Sequence, residues 1–341
     1  MQSWFKLLPA VAALCLCPLH AAQKTLDFYF IDVEGGQSTL IVTPSGQSML
    51  IDTGWPGSNG RDANRIVAAA KGAGLTKIDY LLITHFHVDH VGGVPQLAAR
   101  IPIGTFIDHG TSVEHGKDED ALFQAYAETR SKGAHIEPNP GDRIPLKGVS
   151  VEVISAGGKE ILQPVAGGGE KNSLCGSEAK REVDTGENAQ SVGTLITFGK
   201  FRALDLGDLT WNKEMELVCP VNRVGKVDVY IVSHHGMNLS GSATAVHAFA
   251  PRVAIMDNGA RKGGSPSTWQ IIHSSHGLED IWQLHFAVAG GKDNNAPDTF
   301  IANTDEMGDQ GNWIHVTVHP DGSFTVTNPR NKYSKTYGPR G

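Results

Sequence analysis

The sequence is short of several things that would decide its class at once. It has four cysteines in 341 residues, and two of them, Cys15 and Cys17, lie in an apolar N-terminal stretch. Beyond that stretch only Cys175 and Cys219 remain, so one bridge at most can form there. Basic charge is not in excess: 29 Lys and Arg stand against 36 Asp and Glu, a formal net charge of −7. An overall basic footprint for nucleic acid is therefore absent, although a local patch is compatible with that balance. There is no repeat of fixed period and no low-complexity linker, so solenoids and strings of tethered modules are excluded. The one extended apolar run, Leu7 to Leu19, is too short to span a bilayer comfortably.

What is present at the N-terminus is a pattern. Lys6 gives a positive start, Leu7 to Leu19 an apolar middle, and His20-Ala21-Ala22 small residues for cleavage. This predicts a signal peptide over 1–22 and one domain over 23–341, with no integral membrane segment once the leader is removed. The expected location is periplasmic or secreted. Bulky residues precede Cys15 and Cys17, which disfavours a lipid anchor there. In an oxidising compartment Cys175 and Cys219 can pair, the alternative being two small unpaired core residues.

Glycine is abundant, at 40 residues, and marks many turns. Between those turns the chain reads as strands and helices in alternation. TLDFYFIDVE, STLIVTPSG and QSMLIDTG predict three strands, and Asn59 to Gly72 a helix. IDYLLITH is nearly continuous apolar, as a strand buried on both faces must be. Helices are expected at Val94 to Arg100, Asp118 to Lys132, Lys213 to Val218, Ala243 to Phe249 and Ser267 to Ser275. Further strands are IGTFIDHG, the pair SVGTLITFG and FRALDLGDLT, VDVYIVSHHG, RVAIMDNG and a C-terminal hairpin turning at Pro320-Asp321-Gly322. Gly157 to Glu187 is polar and glycine-rich, and reads as a long inserted loop of the kind found beside active sites. The pattern implies an α/β protein, two sheets face to face with helices outside.

The chemistry concentrates in LLITHFHVDHVGG. His85 and His87 are two apart at a strand end, so both imidazoles emerge on one side. Asp89 and His90 follow in the turn into a helix. Four ligand-competent side chains within six residues can grip a borderline metal ion. Gly92 and Gly93 would let the backbone pass close to it. Other apolar strands also end in polar residues: Asp52 in IDTG, Asp205 and Asp208 in LDLGDL, His234 and His235 in YIVSHHG. A carboxylate such as Asp208 can bridge two cations. Two metals sharing it would lower the pKa of a bridging water. Asp52 fits better as a partner that orients a histidine.

The set Asp52, His85-x-His87-x-Asp89-His90, Gly207-Asp208 and Ser233-His234-His235-Gly236 resembles the metallo-β-lactamase superfamily. That resemblance implies a four-layer αββα sandwich with the site at one edge. FYFIDVEGGQSTLIVTPSGQSMLIDTG, GENAQSVGTLITFGKFRALDLGDLT, VSHHGMNLSGS and FIANTDEMG are similar to the hydrolase domain of ComEC-type competence proteins and to the related phosphorylcholine esterases. Three departures stand out. A glycine-glutamine-glycine pattern in those relatives is Glu34-Gly35-Gly36-Gln37 here. A histidine-proline segment is Ser265-Pro266-Ser267 here. The further metal-binding histidine of many superfamily members is missing: between Gly133 and Gly207 there is only His135, and the matching stretch is Glu187-Asn188-Ala189-Gln190-Ser191.

The resemblance therefore implies two divalent metal ions, zinc expected and manganese or iron compatible. One would be held by His85, His87 and Asp208, the other by Asp89, His90, Asp208 and His235. It implies catalytic or substrate-side roles for Asp89, His234 and Asn188, and an orienting role for Asp52. The expected partner is a small-molecule or phosphoester substrate, with nucleic acid not indicated by charge. Hydrolysis of a phosphodiester or phosphate ester leads. A β-lactam or lactone hydrolase of the same fold and a non-catalytic metal-containing binding module are the alternatives. The remaining histidines, His109, His115, His273, His276 and His285, read mostly as surface or capping residues, and Trp55, Trp211 and Trp269 as packing residues.

Overall fold

A computed structural model describes residues 25–179, 181–305 and 310–341. The leader expected over 1–22 lies outside the described residues. The described chain is a mixed α/β structure built on two nine-stranded sheets. The first runs, edge to edge, Tyr333–Tyr337, Phe324–Asn328, Ile314–Val318, Leu26–Phe30, Thr39–Val42, Ser48–Ile51, Ile78–Leu82, Ile103–Ile107 and Ala134–Ile136. The main path of the second runs Ile301–Asn303, Asp280–His285, Val253–Met256, Val229–Ile231, Phe201–Asp205, Gly193–Phe198, Ser150–Ala156 and Arg143–Ile144. Lys159–Glu160 pairs beside it.

Each sheet changes character halfway. From Ser48–Ile51 onward the first sheet is parallel, and from Ile301–Asn303 to Phe201–Asp205 the second is parallel. The rest of each is antiparallel. Parallel strands need covered faces, and the sequence provides for both. Leu82, Ile231, Ile255 and Trp282 face the partner sheet, together with Phe28, Phe201 and Phe324 from the antiparallel halves. The alternate residues Leu81 and Ile83 pack under the helices Arg61–Gly72, Val94–Ala98 and Lys117–Arg130. Tyr230, Val232 and Ala254 pack under Trp211–Val218, Ala243–Phe249 and Pro266–His273. Three apolar layers thus separate helix, sheet, sheet and helix, the expected αββα order. Truncating one large inter-sheet side chain such as Phe28 to alanine would cost about 3–5 kcal/mol.

Several elements differ from the sequence expectation. The stretch Gly157 to Glu187 is not all loop. Lys159–Glu160 adds to the second sheet, Glu170–Lys171 pairs with Val221–Asn222, and Cys175 is disulfide-bonded to Cys219. The strand Asp280–His285 was masked in the sequence by Gln283 and His285, polar residues in a buried strand. The fold satisfies them: Gln283 Nε2 donates to Asn295 Oδ1 at 2.9 Å, and His285 Nε2 pairs with Asp32 at 2.7 Å. His285 is therefore a core residue and not a surface one. His109 is also buried, paired with Glu187 at 3.0 Å. Among the described residues no helix is long and apolar enough to cross a membrane.

Candidate metal centre

The parallel strands of both sheets end at one rim, and the polar residues that terminate them meet there. From the first sheet come Asp52, after Ser48–Ile51, and the run His85 to His90, after Ile78–Leu82. From the second come Asp208, after Phe201–Asp205, His234 and His235, after Val229–Ile231, and Asp257, after Val253–Met256.

Asp89, His90, Asp208 and His235 are all buried, and one ligand atom of each lies within 4.8 Å of the others. His90 Nε2 and His235 Nε2 face each other at 3.2 Å. Asp89 Oδ2 is 3.3 Å from the first and 3.1 Å from the second. Asp208 Oδ2 is a hub, 3.3 Å from His90 Nε2, 3.3 Å from His234 Nε2, 3.6 Å from His235 Nε2 and 3.9 Å from His85 Nε2. On the other flank His85 Nε2 and His87 Nδ1 are 3.0 Å apart. Here His87 is 34% exposed, whereas His85 is fully buried.

Electrostatics separates the roles. Burial works against charging His90 and His235. The nearby carboxylates, Asp208 first for both, outweigh it and hold both pKa values well above the ordinary imidazole value. Burial likewise opposes ionisation of Asp208 and Asp89, but the surrounding imidazoles, His90 first, hold both carboxyls well below the usual range. Burial, reinforced by His90, pushes His85 well down, and burial lowers His234. The carboxylates thus draw positive charge into the cluster. A divalent cation fits that field and that donor set, nitrogen and oxygen only. One orphan atom supports the fit: Asp208 Oδ1 is buried with no hydrogen-bond partner.

Further residues orient the ligands. Asp52 Oδ2 is 2.7 Å from His90 Nδ1 and also accepts from Thr84 Oγ1 at 2.7 Å. Asp257 Oδ1 faces His235 Nδ1 at 3.6 Å, beyond hydrogen-bond distance, and both atoms are buried without a hydrogen-bond partner. Glu114 Oε2 lies 3.2 Å from His87 Nε2, and its Oε1 accepts from Glu187 N at 3.0 Å. Glu187 in turn accepts from Phe86 N, His109, Ser112 and Val113 N. Burial would raise Glu187, but these donors, His109 first, hold its pKa down to about 2. Sequence reading singled out Asn188 and passed over its neighbour. Asn188 Oδ1 is buried without a partner, while Glu187 braces the backbone between His85 and His87. Asp257 had a readable signal, since MDNG ends its strand as IDTG ends another. Glu114 sits in a loop and had none.

Three sequence details look different in place. Gly92 and Gly93 are crowded by protein: added Cβ atoms would lie 2.2 Å from Val88 O and 2.2 Å from Thr53 O. They let the short helix Val88–Val91 dock on the Thr53–Pro56 turn. Glu34-Gly35-Gly36-Gln37 braces the centre, with Gln37 N donating to Asp89 O at 3.2 Å and Gln37 Nε2 to Asp205 at 2.7 Å. Ser265 Oγ donates to Gly236 O at 2.9 Å, beside His235. His135 pairs with Asp108 at 3.0 Å and does not join the cluster. Asp32, Glu34 and His285 also converge, but Arg65 already neutralises Asp32 at 3.1 Å and Glu34 at 3.5 Å.

A cavity of about 460 Å³ opens beside His87, floored by Phe86, Val88 and Leu122 and rimmed by Ser112, Glu114, Asp118, Glu119 and Glu187. A larger one of about 830 Å³, at Glu160, Leu162 and Arg223, includes none of the centre's residues.

Residues 31–169 match the family model described as Metallo-beta-lactamase superfamily, and the mixed α/β fold with its buried His and Asp cluster is similar to that class of metal-dependent hydrolase. Within that class the chain is similar to ComE operon protein 3 of Bacillus subtilis (strain 168), with 24% identity over 260 residues, 72% of this chain and 30% of the relative. It is similar also to Recombination protein 2 of Haemophilus influenzae (strain ATCC 51907 / DSM 11121 / KW20 / Rd), with 24% identity over 247 residues, 72% of this chain and 25% of the relative. These matches span less than a third of either relative's length. Among solved structures, a metal-dependent hydrolase of the beta-lactamase superfamily aligns at 13% identity and a TM-score of 0.42, covering 77% of this chain and 97% of that one.

Proposed function

We propose that this protein hydrolyses phosphodiesters or related phosphate esters after export, using two divalent ions, zinc in the first instance, with manganese or iron compatible with the same donors. The observation that carries the reading is the unevenness of the centre. One flank has a full set of buried donors, Asp89, His90, Asp208 and His235. The other has His85, His87 and Asp208, lacks the middle histidine of many superfamily members, and leaves His87 34% exposed. Fewer protein donors leave more positions for substrate oxygens. Bound ions would supply Lewis acidity and orient substrate oxygens.

The chain's own residues do the rest. Asp52 and Glu114 fix the ring orientation of His90 and His87 through their second nitrogens. Asn188 Oδ1 is buried without a hydrogen-bond partner, and we assign it a substrate-side role. His234 is held by Ser240 at 3.3 Å. Its backbone has φ 54°, a costly conformation for a non-glycine residue. Its lowered pKa favours contact through a neutral N–H over donation of a proton. Export is supported by the leader pattern and by the Cys175–Cys219 bridge. The acidic net charge of −7 favours a small phosphoester over a nucleic acid.

Turnover of bis-p-nitrophenyl phosphate with zinc or manganese supplied tests the reading, with nitrocefin and an acyl-homoserine lactone as competing substrates. Phosphodiester turnover that disappears in Asp208→Ala supports it. Turnover of the lactam or lactone alone overturns it.

A further inference from the structure

The loop from Asp257 to Ser265 carries a lysine into the centre. Gly259 N donates to Lys262 O at 2.9 Å and closes a tight turn. Gly264 N and Ser265 N tie the far end to His235 O and Gly236 O, each at 2.9 Å. The opposing loop packs against the turn, so that a Cβ on Gly35 would lie 2.9 Å from Gly259 N and 3.0 Å from Lys262 Cβ. The Lys262 backbone is therefore clamped from both sides, and only its side chain is free to move. That side chain is 30% exposed, with Nζ 5.1 Å from the Trp55 ring centroid and hydrogen-bonded to Asp89 Oδ2.

Asp89 Oδ2 is the carboxylate oxygen that faces His90 Nε2 and His235 Nε2 in the four-donor cluster. An ammonium group and a divalent cation on one oxygen repel each other in a low-dielectric site. A divalent ion held by the cluster would therefore displace Nζ from Asp89. Two features keep it near. The Trp55 face attracts a cation electrostatically, and the clamped backbone limits its reach. The position left to it is the partly exposed edge of the centre beside Trp55, within reach of an anion bound at the cluster. An ordinary surface ion pair would not be built this way, since Asp89 already has two imidazole partners.

We propose that Lys262 is a substrate-anion clamp: it pairs with Asp89 Oδ2 and, with ions held at the four-donor cluster, would turn to bind a non-bridging oxygen of the phosphate group. The phosphate identity rests on the proposed function. The clamp itself needs only an anionic substrate. It makes Lys262 a binding residue for that substrate and a competitor of the metal at Asp89.

Two titrations of the full chain test it, on Lys262→Met and Lys262→Arg beside the wild type. In calorimetric titration with zinc, Lys262→Met binds the tighter equivalent several-fold more strongly, because a competitor for Asp89 is gone. In titration of the zinc-loaded proteins with inorganic phosphate, Lys262→Met binds about tenfold more weakly, the loss of one charge-assisted hydrogen bond, and Lys262→Arg stays within a few-fold of wild type. Equal phosphate affinity in Lys262→Met and wild type overturns the clamp, as does weaker zinc binding in a Lys262→Met protein of unchanged melting temperature. The two readings fail separately. A wild type that turns over no phosphodiester, yet binds phosphate through Lys262, removes the reaction and keeps the clamp. A wild type that turns the diester over, with Lys262→Met unchanged in phosphate affinity, removes the clamp alone.

Discussion

The two flanks of the centre are built differently from the same kinds of residue. On one, Asp89, His90, Asp208 and His235 are buried and converge, with Asp52 and Asp257 behind the imidazoles. On the other, His85 is buried, His87 is a third exposed, and of the supporting carboxylates Glu114 sits in a loop and Glu187 opens the short 3-10 helix Glu187–Gln190. Buried, preoriented donors lose little freedom on binding an ion, whereas exposed ones lose more. Under the proposed function, two ions would bind in order, the enclosed position first, and the exposed flank would be the more open to solvent.

The largest test removes what the flanks share. Asp208→Ala is expected to cost several kcal/mol of transition-state stabilisation, about 10³-fold in kcat/KM, and to lower metal content at both positions. Kinetics and elemental analysis check it, and loss of only one equivalent would mean that Asp208 serves a single flank. Next, zinc titration should resolve a tight and a weak equivalent. His235→Ala should abolish the tight one and His87→Ala the weak one, and equal effects would erase the distinction between the flanks.

The exposed flank has its own pH signature. The Glu187 pKa is depressed, so its contribution to stability is present above pH 4.5 and lost as pH falls toward about 2. Glu187→Gln should therefore be less stable than wild type by roughly 2–3 kcal/mol at neutral pH, with the gap closing below pH 4.5. A gap that stays constant from pH 7 to pH 3 in thermal melts would show that Glu187 does not act through its charge. The smallest effect is expected of Glu114→Gln, a loss of about 10–100-fold in affinity for the weak equivalent and none for the tight one.

Much of this was legible in the sequence, for a physical reason. Parallel strands buried on both faces read as unbroken apolar runs, so the polar residue at each end is conspicuous. Asp52, His85, Asp208 and His235 were found that way, and so were the layers of the sandwich. Supporting residues were not. Glu114 and Lys262 reach the centre from loops with no periodicity, and Lys262 meets Asp89 across 173 positions of chain. Glu187 hid beside Asn188, and its four donors come from two other loops. The strands Ala134–Ile136, Asp280–His285 and Tyr333–Tyr337 escaped because polar residues interrupt each, buried in Asp280–His285 and mostly at the surface in the other two.

The centre draws its donors from both sheets, and that gives the sandwich a mechanical character. Asp89 and His90 ride on one sheet, Asp208 and His235 on the other, so the sheets are the jaws of a caliper and the ion is what they measure. A slide of one sheet over the other by a fraction of an ångström changes every cross-jaw distance together. The side chains that set the gauge are Phe28, Phe201 and Phe324, locked between the sheets with ring centroids 6.0 and 5.3 Å apart. The fit of any ion bound between the jaws would then depend in part on phenylalanines that lie outside the donor set.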